Sequence, residues 1–408
     1  MSSSLLKSAN SMRIRAFSAE LTRGLGVVST KFVQEIIVGI HHAQSLHLTD
    51  IARSLSEDVA LKATIKRLSR HLAGQGMTEF ITTALLELAT REVIEDIILV
   101  VSCRALQKPF ATQMEYVRGD GDSSGEGGYF VCDISAFDPA LPDQYVPILS
   151  RLWSRHAPDY QSDESEILAA MSQVNSATGG RGIFYCARSK IGTLTPWWLS
   201  KVPDLRSVFI IDNHDKKVML DGRLWSLSDL ASKIELSYGR IIFKMVNAPF
   251  SSRIAGTQEG QQAELSILER FGSLAVELDN GKRATLILER KTSRHDLTPV
   301  DDFYLATGAP TATRNQLTTL LDNHYKSIEI DQAANNHKIR FNPSDVRVLS
   351  YGRLQLLNVL MQAVTYYEAY VEKAFPLESH GVSSEPHEGD HSRDFRSWND
   401  HISAGSGS

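Results

Sequence analysis

Several large functional classes are excluded by what this chain lacks. In 408 residues no apolar run approaches the ~20 needed to cross a bilayer. Met1 to Arg15 holds no apolar h-region followed by a small-residue cleavage site, so neither a membrane partner nor secretion is expected. Cysteine is scarce: Cys103, Cys132 and Cys186 are an odd set without metal-ligand spacing, which argues for free thiols in a reducing compartment. A cytoplasmic protein is expected. No GK[ST] follows a glycine-rich turn, no GxGxxG follows a strand, and the GxSxG match at Gly121 to Gly125 falls in a glycine-rich stretch and not at a strand-to-helix elbow, so nucleotide binding and serine hydrolysis lack support. Of the thirteen histidines only His387 and His391 stand at HExxH spacing, and they fall within the acidic, Ser- and Gly-rich sequence beyond Pro376. Proline is absent from the first ninety residues.

What is there begins with charge. The net charge is -5, yet residues 1 to 91 carry eleven Lys or Arg against seven Asp or Glu. A basic N-terminal part on an acidic chain is compatible with local phosphate contact. The same part reads as helical, with apolar residues at helical spacing in Phe32, Ile36, Ile37 and Ile40, and again in Leu61, Ile65, Leu68 and Leu72. Ser45 to Leu55, capped near Thr49, has the pattern of the first helix of a helix-turn-helix, and Asp58 to Leu72 follows as the second. On that second helix Lys62, Lys66, Arg67 and Arg70 lie opposite the apolar stripe, facing solvent or phosphate.

From Ile94 short apolar runs alternate with helical stretches, which indicates an α/β core. Strands are expected at Ile97 to Val101, Tyr129 to Ile134 and Gly182 to Cys186, and helices at Tyr145 to Trp153 and Asp163 to Asn175. The glycine-rich stretch 119 to 128 reads as a hairpin loop. Further strands at Val208 to Ile211, Arg240 to Val246, Leu274 to Leu278 and Ala284 to Glu289, with turn signals Asp221-Gly222 and Asn280-Gly281, read as a β-rich insertion. Thr311 to Tyr325 and Tyr351 to Phe375 read as helices, and the acidic, Ser-, Gly- and His-rich sequence beyond Pro376 as a disordered tail. The expected units are 1–91 helical, 92–205 first part of the core, 206–292 insertion, 293–375 second part of the core, and 376–408 tail.

Lys108-Pro109-Phe110-Ala111 with Met114-Glu115-Tyr116, Gly179 to Phe184, Lys338, Phe341, Asp345 to Val348, and Arg353-Leu354-Gln355 with Leu357-Asn358 follow one another in that order. By these segments residues 15 to 370 resemble the DDE transposases of bacterial insertion sequences, specifically the IS-four group. The resemblance implies an RNase H-like mixed sheet core with a β-rich insertion and an N-terminal helical DNA-binding domain. In that family two Asp and one Glu hold two divalent ions about 3.5 to 4 Å apart. Here the first Asp aligns with Ser102, the second with Ala187 before Arg188, and the Glu with Asp331. The group's Tyr, Arg, Glu, Lys signature reads His324, Ser327, Asp331, Lys338.

Replacing carboxylates by hydroxyl, methyl and a shortened acid removes the anionic oxygens that a hard cation requires. The resemblance therefore implies a catalytically degenerate member that binds inverted-repeat double-stranded DNA without cleaving it, in the nucleoid-associated cytoplasm. Arg53, Lys62, Lys66, Arg67, Arg70 and Lys338 are its candidate DNA contacts. No cofactor is expected. The alternatives are an active nuclease in which Asp331 and relocated carboxylates hold Mg2+ or Mn2+, and a protein-interaction scaffold. Asp96, Asp133 and Asp138 do not recreate the strand-end geometry, and Asn213-His214-Asp215 reads as a polar turn. Trp197-Trp198 is expected to anchor the core or the subunit contact of a homodimer, with base stacking as the minor alternative.

Overall fold

The computed structural model describes residues 3–74, 76–91, 93–109, 111–118, 127–139, 144–186, 205–211, 217–246, 263–278, 281–293 and 298–372. Ala187, Arg188, Trp197-Trp198, Asn213-His214-Asp215, most of the glycine-rich loop and the tail lie outside them. Helices α1 (Ser3–Leu21), α2 (Val27–Ala43), α3 (Leu48–Leu55), α4 (Leu61–His71) and α5 (Met77–Thr90) open the chain, as the periodicity predicts. The α2 and α3 backbones meet closely at Gly39, where a Cβ would stand 2.5 Å from Ile51 Cγ2, so only glycine admits this packing. The α3–α4 turn passes through Ser56 in the left-handed region, φ 49°.

Next come strands β1 (Ile98–Gln107), β2 (Gly128–Phe137) and β3 (Tyr145–Trp153), helix α6 (Asp163–Thr178), and strands β4 (Ile183–Cys186) and β5 (Ser207–Ile211). β1 pairs antiparallel with β2 and β2 with β3, while β4 runs parallel to β1 and β5 parallel to β4. The five strands thus lie in the order β3-β2-β1-β4-β5, a mixed sheet. Helix α6 crosses over between β3 and β4, with Ser162 capping its start (Ser165 N to Ser162 Oγ, 3.1 Å) and Gly179 at φ 64° ending it.

Residues Tyr145–Trp153 are a strand, not the expected helix. Ile134 pairs with Leu149 and Ser135 with Pro147, leaving Ile148 as the extra residue of a bulge. Pro147 has no N–H for a ladder, and edge strands and bulges are where a sheet tolerates it. Val146, Ile148 and the aromatic ends suit a pleated surface, and tertiary pairing decides the outcome.

The sheet does not stop at β5. Strands β6 (Lys217–Leu220) and β7 (Arg223–Ser226), a helical turn α7 (Leu227–Leu230), and strands β8 (Tyr238–Val246), β9 (Ala263–Glu277), β10 (Arg283–Ser293) and β11 (Val300–Thr307) follow. β11 pairs antiparallel with β5, and β10, β9, β6 and β7 continue outward, so the strands of the expected insertion prolong one eleven-stranded sheet. Sequence reasoning misses β6, β7 and β11.

Helix α8 (Arg314–Ile339) begins at a capping box, in which Gln316 N donates to Thr313 Oγ1 and Thr313 N to Gln316 Oε1. Helix α9 (Tyr351–Tyr366) continues as a π-helical turn, Tyr367–Val371. Alternation along β1 divides the core. Leu99, Val101 and Cys103 face a cluster shared with α2, α5, α6 and α9, whereas Ile98 and Val100 face α8. α8 therefore lies against the opposite face of the sheet from most of the helices.

Candidate functional site

Ser102 follows Val100 on the α8 face of β1. Its cross-strand partner in β2 is Asp133. A small pocket opens there, lined by Val100, Ser102, Asp133, Ser135, Ile330, Asp331, Ala334 and Asn335. The sheet and α8 thus bring together two of the three positions singled out from the sequence, Ser102 and Asp331. The third, Ala187, is outside the described residues; its neighbour Cys186 ends β4 opposite Val101.

The residue that dominates this pocket is Asp133, which sequence reasoning set aside. Its Oδ1 accepts from Lys338 Nζ at 2.6 Å and from Ser150 Oγ at 2.5 Å, and its Oδ2 accepts from Arg104 at 3.2 Å. Ser150 Oγ is in turn bonded by Asn358 Nδ2 of α9 at 2.9 Å. Burial alone would push the Asp133 carboxyl up, but the Lys338 and Arg104 charges outweigh it and hold the group below the usual carboxylate range. Both oxygens are committed to cationic or hydroxyl donors.

Lys338 was expected to reach a DNA phosphate. Its side chain is 3% exposed and its ammonium is spent on Asp133, which corrects that expectation. The reason is helical spacing. Lys338 lies seven residues, two turns, after Asp331 on the inner face of α8, so it points at the sheet rather than at solvent. His324 and Ser327 are also buried, with Ser327 Oγ donating to the His324 carbonyl at 2.7 Å.

These side chains do not suit two divalent ions. A metal at Asp133 would have to displace Lys338, and Ser102 offers no charge. Among the described residues no group of three or more His, Cys, Asp or Glu is arranged to hold a metal. Cys103, Cys132 and Cys186 are free and buried. Cys103 is the cross-strand partner of Cys132, whose bond to it, together with burial, raises its thiol, and burial raises Cys186. Neither is disposed to act as a thiolate nucleophile.

The candidate DNA-binding side chains divide into two groups. Lys62, Lys66 and Arg70 are exposed along one side of α4, and Arg53 is exposed beside Asp50 at 3.1 Å. Arg67 does not join them. It forms ion pairs with Glu35 of α2 and, at 2.7 Å, with Glu57 at the α3–α4 turn, and these partners raise its already high pKa. Glu57 also accepts from buried Thr64 at 2.6 Å. The buried stripe of α4 is thus Thr64, Leu68 and the following Leu72, with Leu61 38% exposed, and Arg67 at its margin turns inward.

The segments that carried the resemblance meet in space. Lys108, fully buried, donates through Nζ to the carbonyls of Pro343 (2.5 Å), Val346 (2.9 Å) and Ser344 (3.4 Å). Glu115 N donates to the Leu349 carbonyl at 2.8 Å and Tyr351 N to Glu115 Oε2 at 2.8 Å, while Arg347 reaches the Pro109 carbonyl at 3.2 Å. Lys108, Pro109 and Glu115 with residues 343–351 form one clasp, so their joint presence serves the fold.

No protein-family model and no curated protein matches the chain. Among solved structures, the cryo-EM structure of the piggyBac transposase synaptic complex with hairpin DNA aligns over 89% of this chain and 73% of that chain, at 10% identity and a TM-score of 0.39. A superposition that loose carries no argument about this chain. No described helix is long and apolar enough to cross a membrane.

Proposed function

We propose that this protein is a transposase-derived DNA-binding protein of the IS-four kind that holds double-stranded, inverted-repeat DNA without cutting it. The strand order β3-β2-β1-β4-β5, with β4 and β5 parallel to β1, is that of an RNase H-like core and supports the scaffold. The observation that carries the reading is the Lys338 ammonium against Asp133 beside Ser102. An internal cation stands at the carboxylate nearest the first catalytic position, so the pocket is neutralised without a metal. The exposed row Lys62, Lys66 and Arg70 beside Arg53 supports the DNA contact.

The test is titration of labelled duplex from the gene's own flanking DNA at several salt concentrations. Binding should weaken steeply with salt, and Lys62→Ala with Lys66→Ala and Arg70→Ala should lower the slope by roughly 0.9 for each phosphate contact removed. Unchanged affinity in the triple variant would remove this surface from the reading.

One observation favours a second reading, in which the protein is a metal-dependent nuclease: Asp133 and Asp331 line the same pocket. Under it, Mn2+ would bind and Lys338→Ala would raise the affinity for Mn2+ and any nicking.

A further inference from the structure

A second buried polar cluster lies on the same α8 face of the sheet, farther out, where the N-terminal half of α8 rests on β9 and β10. Glu269 of β9 and Glu289 of β10 are both fully buried, and they converge on one phenol. Tyr325 Oη of α8 lies 2.5 Å from Glu289 Oε1 and 3.3 Å from Glu269 Oε1. A tyrosine hydroxyl carries one hydrogen. Its one hydrogen is shared unequally, going to Glu289 at the shorter distance and leaving Glu269 only the longer contact.

The surrounding charges point the same way. From β8, Arg240 pairs with Glu269 and, at 2.7 Å, with Asp322 of α8. From β10, Lys291 reaches Glu289 at 2.8 Å and Asp302 of β11 at 2.7 Å. Tyr304 of β11 donates to Glu289 Oε2 at 2.7 Å, and His324 of α8 meets the Tyr304 ring edge-on. Asp322 is 54% exposed, which leaves three enclosed carboxylates, Glu269, Glu289 and Asp302, against two cations. One proton balances the cluster. Burial and the Glu289 carboxylate raise Glu269 to about 7, within the range where a cell's pH acts on it.

We propose that the Glu269–Glu289–Tyr325 cluster is a proton-controlled latch that fixes the N-terminal half of α8 to the outer sheet and releases it when Glu269 ionises. With the proton present, the chain Glu269 to Tyr325 to Glu289 is complete. Without it, the two buried carboxylates compete for the single Tyr325 hydrogen, and the α8 contact weakens. Because α8 also carries Asp331 and Lys338, the latch governs how firmly the helix of the candidate pocket is seated. It stands independently of any DNA contact.

The experiment is hydrogen–deuterium exchange across residues 317–331 of the full chain from pH 5 to 8.5, corrected for intrinsic rates, with α9 as internal reference. In the wild type, α8 protection relative to α9 should fall at least fivefold as pH rises through about 7. Glu269→Gln should remain protected at high pH and show no such fall. Tyr325→Phe should be less protected throughout and insensitive to pH. A flat wild-type profile overturns the proposal whether or not the variants fold, as does a wild-type-like fall in either variant.

Discussion

At the scale of single residues, Asp133 and Lys338 explain most of the candidate pocket. Removing one partner of a buried ion pair leaves the other uncompensated, at a cost of about 3 kcal/mol or more. Lys338→Met should therefore lower the melting temperature markedly, and Asp133→Asn with Lys338→Met together should recover part of the loss. Thermal unfolding of the three variants checks this; a loss in the double variant equal to the sum of the two single losses would mean the pair is not coupled. The sequence did not single out Asp133 because its importance depends on register. Ser102 opposite Asp133 follows only once β1 and β2 are paired residue by residue, and the long loop between them leaves that register unspecified. Ser150 and Asn358 were hidden for a related reason, since Ser150 belongs to a segment expected to be helical.

At the scale of elements, α4 shows how far a helical wheel can be trusted. Periodicity locates the helix and three exposed cations, and it misassigns Arg67, because Glu35 and Glu57 come from neighbouring elements that one helix's periodicity cannot show. The two kinds of arginine predict different phenotypes. Arg67→Ala should cost roughly 1 kcal/mol of stability and leave the DNA affinity of the folded fraction nearly unchanged. Arg70→Ala should do the reverse. Parallel denaturation and anisotropy titrations separate the two, and a large affinity loss in Arg67→Ala at full folding would contradict the assignment. β3 carries the complementary lesson. Pro147 within Tyr145–Trp153 was the visible warning against a helix, and an edge strand with a bulge is where it fits.

At the scale of the whole molecule, the N-terminal helices are joined to the core through Glu368 in the π-helical turn. Its Oε1 meets His41 Nδ1 and Gln44 Nε2 of α2, each at 2.7 Å, and its Oε2 meets His337 Nε2 of α8 and Arg340 beyond it, each at 2.8 Å. Burial opposes ionisation, but the bonds from His337, His41 and Gln44 prevail and hold the carboxyl down to about 2, against 4.5 in an unfolded chain. The folded pKa is the lower one. This stabilisation is present above about pH 4.5 and is lost as pH falls toward 2. Glu368→Gln should flatten stability against pH in that window, and an unaltered acid limb would contradict the role given to the joint.

The mixed α/β core, the N-terminal helices and most strands are legible in the sequence because period and turn chemistry are local. The continuity of the sheet through β11 was not, because pairing of β5 with β11 joins residues about a hundred apart and leaves no local trace. Ser102 and Asp331 line one pocket, whereas Lys338 turns inward, a matter of which side of α8 the sheet occupies.

On the proposed function an internal ammonium, and not a metal pair, neutralises the pocket, so that DNA is held and not cut. The most direct measurement incubates the protein with Mn2+ and a supercoiled plasmid carrying the gene's flanking sequence, reading binding and nicking from the same sample. The expected result is a retarded plasmid that stays supercoiled after the protein is removed; accumulation of nicked or linear product that is abolished by Asp133→Asn would overturn the proposed function.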